Sequence, residues 1–317
     1  MGFAGILLMV IVTMAAYAEV QWDRTFEAPY PQIFASGDPA VIERGRYLAY
    51  GPAHCAACHT PPEAHAALDR GEEVPMVGGY EWQLPLGTVR APNITPDSET
   101  GIGRYSDPEI ARLIRHGVKP NGRVAVPFME FQNLADDDLT AILSYLRSTE
   151  PVRNEVRPTT FNFVGKAVMS TLIRPIGPAV EPPVTAPAEG ATIERGEYLV
   201  TSVSGCAGCH SQRSLTDGSY TGPRLAGGSP MPVDDDPTRV LTPPNLTPDP
   251  QAGHIYEWSP DQFVARFRAG RLVEGSHMPW PQFARMSDED LEAIYLYLMS
   301  IRPVVNETGP IQRKIEP

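Results

Sequence analysis

All four cysteines of this 317-residue chain fall in two five-residue motifs, Cys55-Ala-Ala-Cys58-His59 and Cys206-Ala-Gly-Cys209-His210. Two thiols three positions apart can add to the two vinyl groups on one edge of a porphyrin, and the histidine directly after them reaches the iron from the proximal side. The motifs therefore read as attachment sites for two covalently bound haem c groups. Cys55, Cys58, Cys206 and Cys209 would form the thioethers, and His59 and His210 would be the proximal ligands. Other uses of the spacing fit less well. A zinc site built from paired cysteines would not need a histidine after each pair, and a disulfide across a two-residue gap would be redox-active rather than structural.

The group on the far side of the iron decides the chemistry, because methionine opposite histidine gives an electron-transfer haem and an open position permits catalysis. Met278, followed by Pro279, is the candidate opposite His210. In the first half, the gapless partner of Met278 is Val126, since Val126-Pro-Phe-Met129-Glu-Phe131 aligns with Met278-Pro-Trp-Pro-Gln-Phe283. Valine cannot bind iron. Met129, three residues on, takes over if the loop is re-routed, with His116 or an open iron as the alternatives. Met76, Met231 and Met286 read as packing residues. His54, His65, His254 and His277 read as surface residues or neighbours of a haem edge.

The elements that position these groups are written twice. Glu43-Arg44-Gly45 and Tyr47-Leu48 recur as Glu194-Arg195-Gly196 and Tyr198-Leu199, at the 151-residue offset of the cysteine motifs. Pro92-Asn-Ile-Thr-Pro-Asp97 returns as Pro244-Asn-Leu-Thr-Pro-Asp249, and Asp138-Leu139 as Asp290-Leu291, at an offset of 152. A period this long means two domains, each able to hold a core, and not a solenoid. The expected organisation is an N-terminal segment over residues 1–20, domains over 38–153 and 192–305, a helix and proline-rich linker over 154–191, and a tail over 306–317.

In each copy the pattern predicts helix, long loop, helix. Leu139, Ile142, Leu143 and Leu146 make a helical stripe that Leu291, Ile294, Tyr295 and Leu298 repeat. Ser287 and Asp136–Asp138 mark helix starts, and Pro151 and Pro303 mark the stops. Gly45 and Gly196 sit where a second helix can approach closely. Asp107–Gly117 and Pro260–Gly270 read as third helices ending in glycine. No alternating strand pattern stands out, so the expected fold class is all-α.

Residues 1–18 carry no charge. Eighteen helical residues span about 27 Å, close to the roughly 30 Å of a hydrocarbon core. Ala16-Tyr17-Ala18 has the form of a signal-peptidase site, yet no Lys or Arg precedes the apolar run, which favours an uncleaved N-terminal membrane helix. In either case the haem domains lie outside the cytoplasm, in the periplasm, at the cytoplasmic membrane. With 26 Lys plus Arg against 38 Asp plus Glu and a net charge of −12, the chain is no nucleic-acid binder.

These motifs resemble the class I cytochrome c family, and in particular the tandem domains of the cytochrome subunits of membrane-bound bacterial alcohol and gluconate dehydrogenases. The resemblance rests on Ala91–Asp97, Glu99–Gly103, Arg115-His-Gly117 and Leu134–Arg147, and on Pro244–Asp249, Trp258-Ser-Pro260 and Met278–Pro303. It implies an all-α fold round each haem, with the Asn-Ile-Thr-Pro-Asp loop near the propionates and the last helix crossing the first. Those subunits usually carry three haem motifs where this chain has two. The expected function is transfer of single electrons between a membrane redox complex and an acceptor, or service as a fixed subunit of such a complex. No Ser-His-Asp set, phosphate loop or GxGxxG accompanies the haem motifs, so the chain reads as an electron-transfer protein rather than an enzyme. The alternative is a diheme enzyme, peroxidase-like or thiosulfate-dehydrogenase-like, with an open haem in the first domain.

Overall fold

A computed structural model of the chain describes residues 3–178, 180–214, 219–233 and 236–315. The first half comprises α1 (Phe3–Gln21), α2 (Pro39–Tyr50), α3 (Cys55–His59), α4 (His65–Asp69), β1 (Glu81–Leu84), β2 (Gly87–Arg90), α5 (Asp107–His116), α6 (Asp136–Ser148), β3 (Thr160–Phe161) and α7 (Phe163–Thr171). The second comprises α8 (Ile193–Tyr198), α9 (Cys206–His210), β4 (Met231–Val233), β5 (Asp236–Leu241), α10 (Pro260–Arg268), α11 (Trp280–Phe283), α12 (Asp288–Ser300) and β6 (Gln312–Lys314).

The frame of each domain is a crossing of its first and last long helices. A Cβ on Gly45 would stand 1.8 Å from the Ala141 carbonyl oxygen, and one on Gly196 1.9 Å from that of Ala293. Only glycine lets α2 meet α6, and α8 meet α12, at that distance. The apolar stripes of the last helices face inward: Leu139, Ile142, Leu143 and Leu146, and Leu291, Ile294 and Leu298, are all buried. Helix starts follow the sequence closely. Asp38 accepts the Ala40 N–H at 2.8 Å, Ser287 Oγ accepts the Asp290 N–H at 3.1 Å, and Ser106 and Ser259 open α5 and α10 with full capping boxes. The α6 start is completed by the linker, where the Pro183 and Val184 carbonyls accept the N–H groups of Asp136 and Asp137. These are two of the donors that a helix start otherwise leaves unpaired.

The all-α expectation requires correction. Two three-stranded antiparallel sheets, ordered β1-β2-β3 and β4-β5-β6, accompany the helices. Their strands run from two to six residues, too short for an alternating pattern to register in sequence. Thr160 pairs with Thr88 and Gln312 with Leu241, so each copy returns after its last helix to close its own sheet.

The N-terminal segment is helical, but among the described residues no helix is long and apolar enough to cross a membrane. Its uncharged residues 3–18 reach only about 24 Å, and Glu19 follows. Met1 and Gly2 lie outside the described residues. Helix α1 packs on α7, with Ala18 buried and Lys166 paired with Glu19. Ile6, Met9, Val12, Met14 and Val20 remain exposed.

Candidate haem sites and the interface between them

Each cysteine motif is one short helix entered through a left-handed residue, His54 at φ 43° in the first domain and Gly205 at φ 59° in the second. Glycine adopts this conformation without cost and histidine is among the residues that tolerate it. All four cysteines are free, with Cys209 exposed and the others half-buried. The protein packed around them pushes the Cys55 and Cys206 thiols up to about 12 and Cys58 up to about 11, and raises Cys209 as well. A dithiol redox centre relies on a lowered thiol pKa, the opposite of what burial does here.

The two histidines are held alike. His59 donates its Nδ1–H to the Pro92 carbonyl at 2.8 Å, and His210 to that of Pro244 at 2.9 Å. The backbone carbonyls of His59 and His210 themselves accept a glycine N–H, from Gly78 at 2.7 Å and from Gly227 at 2.9 Å. With Nδ1 committed, the tautomer is set and Nε2 keeps its lone pair for iron. Burial lowers the pKa of both rings and keeps them neutral. The proline carbonyls are brought to the histidines by the repeated Asn-Ile/Leu-Thr-Pro-Asp loops. Asn93 Oδ1 accepts from the Thr95 N–H and Oγ1–H, while Asn93 Nδ2 donates to the Val152 carbonyl, and Asn245, Thr247 and Val304 repeat the arrangement. Sequence reasoning singled out these loops but not their role as histidine clamps. The pairing of one Pro-Asn with each motif was the available signal.

The donor set fits a covalently held haem in each domain: two free, accessible thiols on one turn and a neutral imidazole with Nε2 uncommitted. His59, Cys55 and Cys58 would hold one, and His210, Cys206 and Cys209 the other. Met278 is half-buried against the core of its domain. Met129 is half-buried and lines a cavity of about 20 Å³ with Val126, Leu113 and Gly117. His116 faces the linker, its Nδ1 3.3 Å from where a Cβ on Gly177 would lie. His65 bonds the Thr60 carbonyl and stacks on Tyr80, His254 contacts Trp258, and His277 bonds the Pro232 carbonyl. Met76 and Met286 are buried in the core and Met231 is half-buried in β4.

The two domains meet in a reciprocal set of contacts that the repeats did not reveal. Arg44 forks onto Asp138 at 2.9 and 3.2 Å, and Arg195 onto Asp290 at 2.8 and 3.2 Å. Tyr198 of the second domain donates to Asp138 of the first at 2.8 Å, and Tyr47 of the first donates to Asp290 of the second at 2.6 Å. Each hydroxyl also accepts a backbone N–H across the interface, Tyr198 from Ala135 and Tyr47 from Ser287. Burial, then the facing carboxylate, raises both phenol pKa values, so both remain donors. The haem motifs lie beside this interface: His54, one residue before Cys55, contacts Phe283 of the second domain at 5.5 Å and Phe131 of its own at 6.0 Å.

This architecture and donor set define a tandem of cytochrome c domains. Residues 42–150 match the cytochrome c family, and residues 191–298 match the family described as cytochrome C oxidase, cbb3-type, subunit III. The chain is a diheme member of the cytochrome c family and carries two covalently bound c-type haems. It is similar to the cytochrome c subunit of alcohol dehydrogenase (quinone) from Gluconacetobacter polyoxogenes, 28% identical over 86% of this chain and 58% of the relative. It is 30% identical to the gluconate 2-dehydrogenase cytochrome c subunit of Pantoea cypripedii, over 83% of this chain and 60% of the relative. A diheme cytochrome c-type protein of Cereibacter sphaeroides is 28% identical over 86% of this chain and 89% of its own length. The chain thus spans about three fifths of the two dehydrogenase subunits.

Proposed function

We propose that this protein is the electron-transfer subunit of a dehydrogenase complex on the outer face of the cytoplasmic membrane, passing single electrons from a catalytic partner to an acceptor. The observation that carries the reading is the repeated clamp, His59 on Pro92 and His210 on Pro244, with the two motifs set beside one buried interface. Haem bound there supplies one-electron exchange between ferric and ferrous iron. The chain's own residues do the rest. The cysteines would fix the group, the proline carbonyls orient His59 and His210 to meet its iron, and Met278 and Met129 would supply thioether ligands. The Arg-Asp-Tyr contacts hold the two domains in one arrangement, so the path between them stays short. The names of the relatives support a partner that oxidises an alcohol or a sugar acid. The exposed apolar side chains of α1 support attachment to the membrane.

Isolation of the tagged protein from detergent-solubilised membranes tests this. The expected result is a co-purifying dehydrogenase whose substrate reduces both haems. Recovery of the chain alone from the soluble fraction, with no substrate-driven reduction, would refute it. Val126 in the ligand position keeps a second reading in view, an open haem in the first domain with peroxidase-like or thiosulfate-dehydrogenase-like activity. Reaction of that haem with peroxide during turnover is the outcome specific to it.

A further inference from the structure

The loop that carries Met129 and the segment that attaches the second haem meet across the interface. Glu130, next to Met129, forms an ion pair with Arg213, three residues after His210. A Cβ on Gly208 would lie 3.0 Å from Glu130 Oε2, and one on Gly205 3.9 Å from Glu130 Cβ, so the carboxylate sits against the Cys206–Cys209 turn. Arg213 is itself held in place. Its Nη2 donates to Tyr220 Oη at 3.0 Å, and its guanidinium lies 4.7 Å from the centre of the Tyr220 ring. The pair is largely shielded, with side-chain exposures of 29% and 27%, so it is screened less than a surface ion pair.

The arrangement is not symmetric. In the second domain the residue at the place of Glu130 is Gln282, buried and uncharged, and Met278 there stands at the unshifted ligand position. The second domain's loop reaches the first at a different point, through Arg285, which pairs with Glu73 and donates to the Gly71 carbonyl at 2.9 Å, so a carboxylate set against the partner's cysteine turn is a feature of the Met129 loop. Val126 occupies the usual place, and the loop of the first domain must follow a different course to bring Met129 round.

We propose that Arg213 and Glu130 form a positioning clamp through which the second domain holds the Met129 loop of the first in its ligating course. The inference rests on the reading of Met129 as sixth ligand. Neither clamp residue touches iron, and both act through the loop. Ligation in the first domain therefore depends on the docked second domain.

The test uses the full holoprotein in a Met278→Ala background, where the remaining sulfur-to-iron charge-transfer band reports the first haem alone. Intact mass showing two attached haems establishes that each variant has matured. Glu130→Gln and Arg213→Gln are expected to remove most of that band and to raise the affinity of the first haem for added imidazole about tenfold. Arg213→Lys keeps the charge and is expected to restore both toward the parent. A band and imidazole affinity unchanged in Glu130→Gln and Arg213→Gln would overturn the clamp and leave Met129 ligation standing. A band already absent in the Met278→Ala parent would overturn the Met129 reading and the clamp with it.

Discussion

Removing the two interdomain tyrosine hydroxyls, by Tyr198→Phe and Tyr47→Phe, perturbs the interface while leaving both rings in place. Each hydroxyl donates to a carboxylate, and a hydrogen bond to a charged group contributes about 1.5–3 kcal/mol. The two sites differ in what the hydroxyl accepts. Tyr198 Oη is the acceptor for the N–H of Ala135, which is fully buried, so the variant leaves that N–H unpaired at a further cost of about 1–3 kcal/mol. Tyr47 Oη accepts from Ser287, an exposed residue whose N–H can turn to water. Asp138 and Asp290 keep their arginine partners in either variant. Tyr198→Phe should therefore cost about 2.5–6 kcal/mol and Tyr47→Phe about 1.5–3 kcal/mol. Denaturant unfolding of the holoprotein, followed by far-ultraviolet circular dichroism and by haem absorbance, measures both. The double variant should separate one shared transition into two. Losses below about 0.5 kcal/mol, or a larger loss for Tyr47→Phe, would refute the reasoning.

Three further outcomes follow from the same structure. Gly196→Ala should lower stability by about 1–3 kcal/mol despite a helix-propensity gain of about 1 kcal/mol, because its Cβ would meet the Ala293 carbonyl; thermal unfolding gives the sign. The hydrogen bonds from Ser106 hold the Glu109 carboxyl below its ordinary 4.5, so its stabilisation is complete above that value and is lost as pH falls through the folded value. Glu109→Gln should flatten that acid limb in a series of melting temperatures. Electron exchange with a soluble basic partner should slow as salt shortens the Debye length toward about 8 Å, since the chain carries a net charge of −12; stopped-flow rates across ionic strength report it.

That the chain carries two c-type haems was legible because the attachment chemistry is local: two thiols and an imidazole within five residues. So were the helix caps, the glycine crossings and the inward stripes, which depend on near neighbours and on period. The sheets escaped because β3 and β6 are brief and pair with strands far back in the chain. The Tyr47–Asp290 and Tyr198–Asp138 contacts escaped for a different reason. Both residue types recur at matching positions in the two copies, but periodicity cannot tell a contact within a copy from one exchanged between copies. Arg213 and Glu130 carry no repeat signal, since their counterparts differ. Met129 is the intermediate case: its residue type and the valine at position 126 single it out as a candidate, while where its side chain lies depends on the loop.

The spin state of the two irons tests the account most directly. Electron paramagnetic resonance of the oxidised full-length protein, combined with a reductive titration, should show two low-spin ferric haems that together take up two electrons per molecule. Met278→Ala and Met129→Ala should each lower the potential of one haem and leave the other unchanged, as the thioether's preference for ferrous iron is lost. A high-spin ferric haem in the wild-type protein that binds cyanide or peroxide, with Met129→Ala leaving the spectrum untouched, would contradict the electron-relay account and place the first domain among the enzymes.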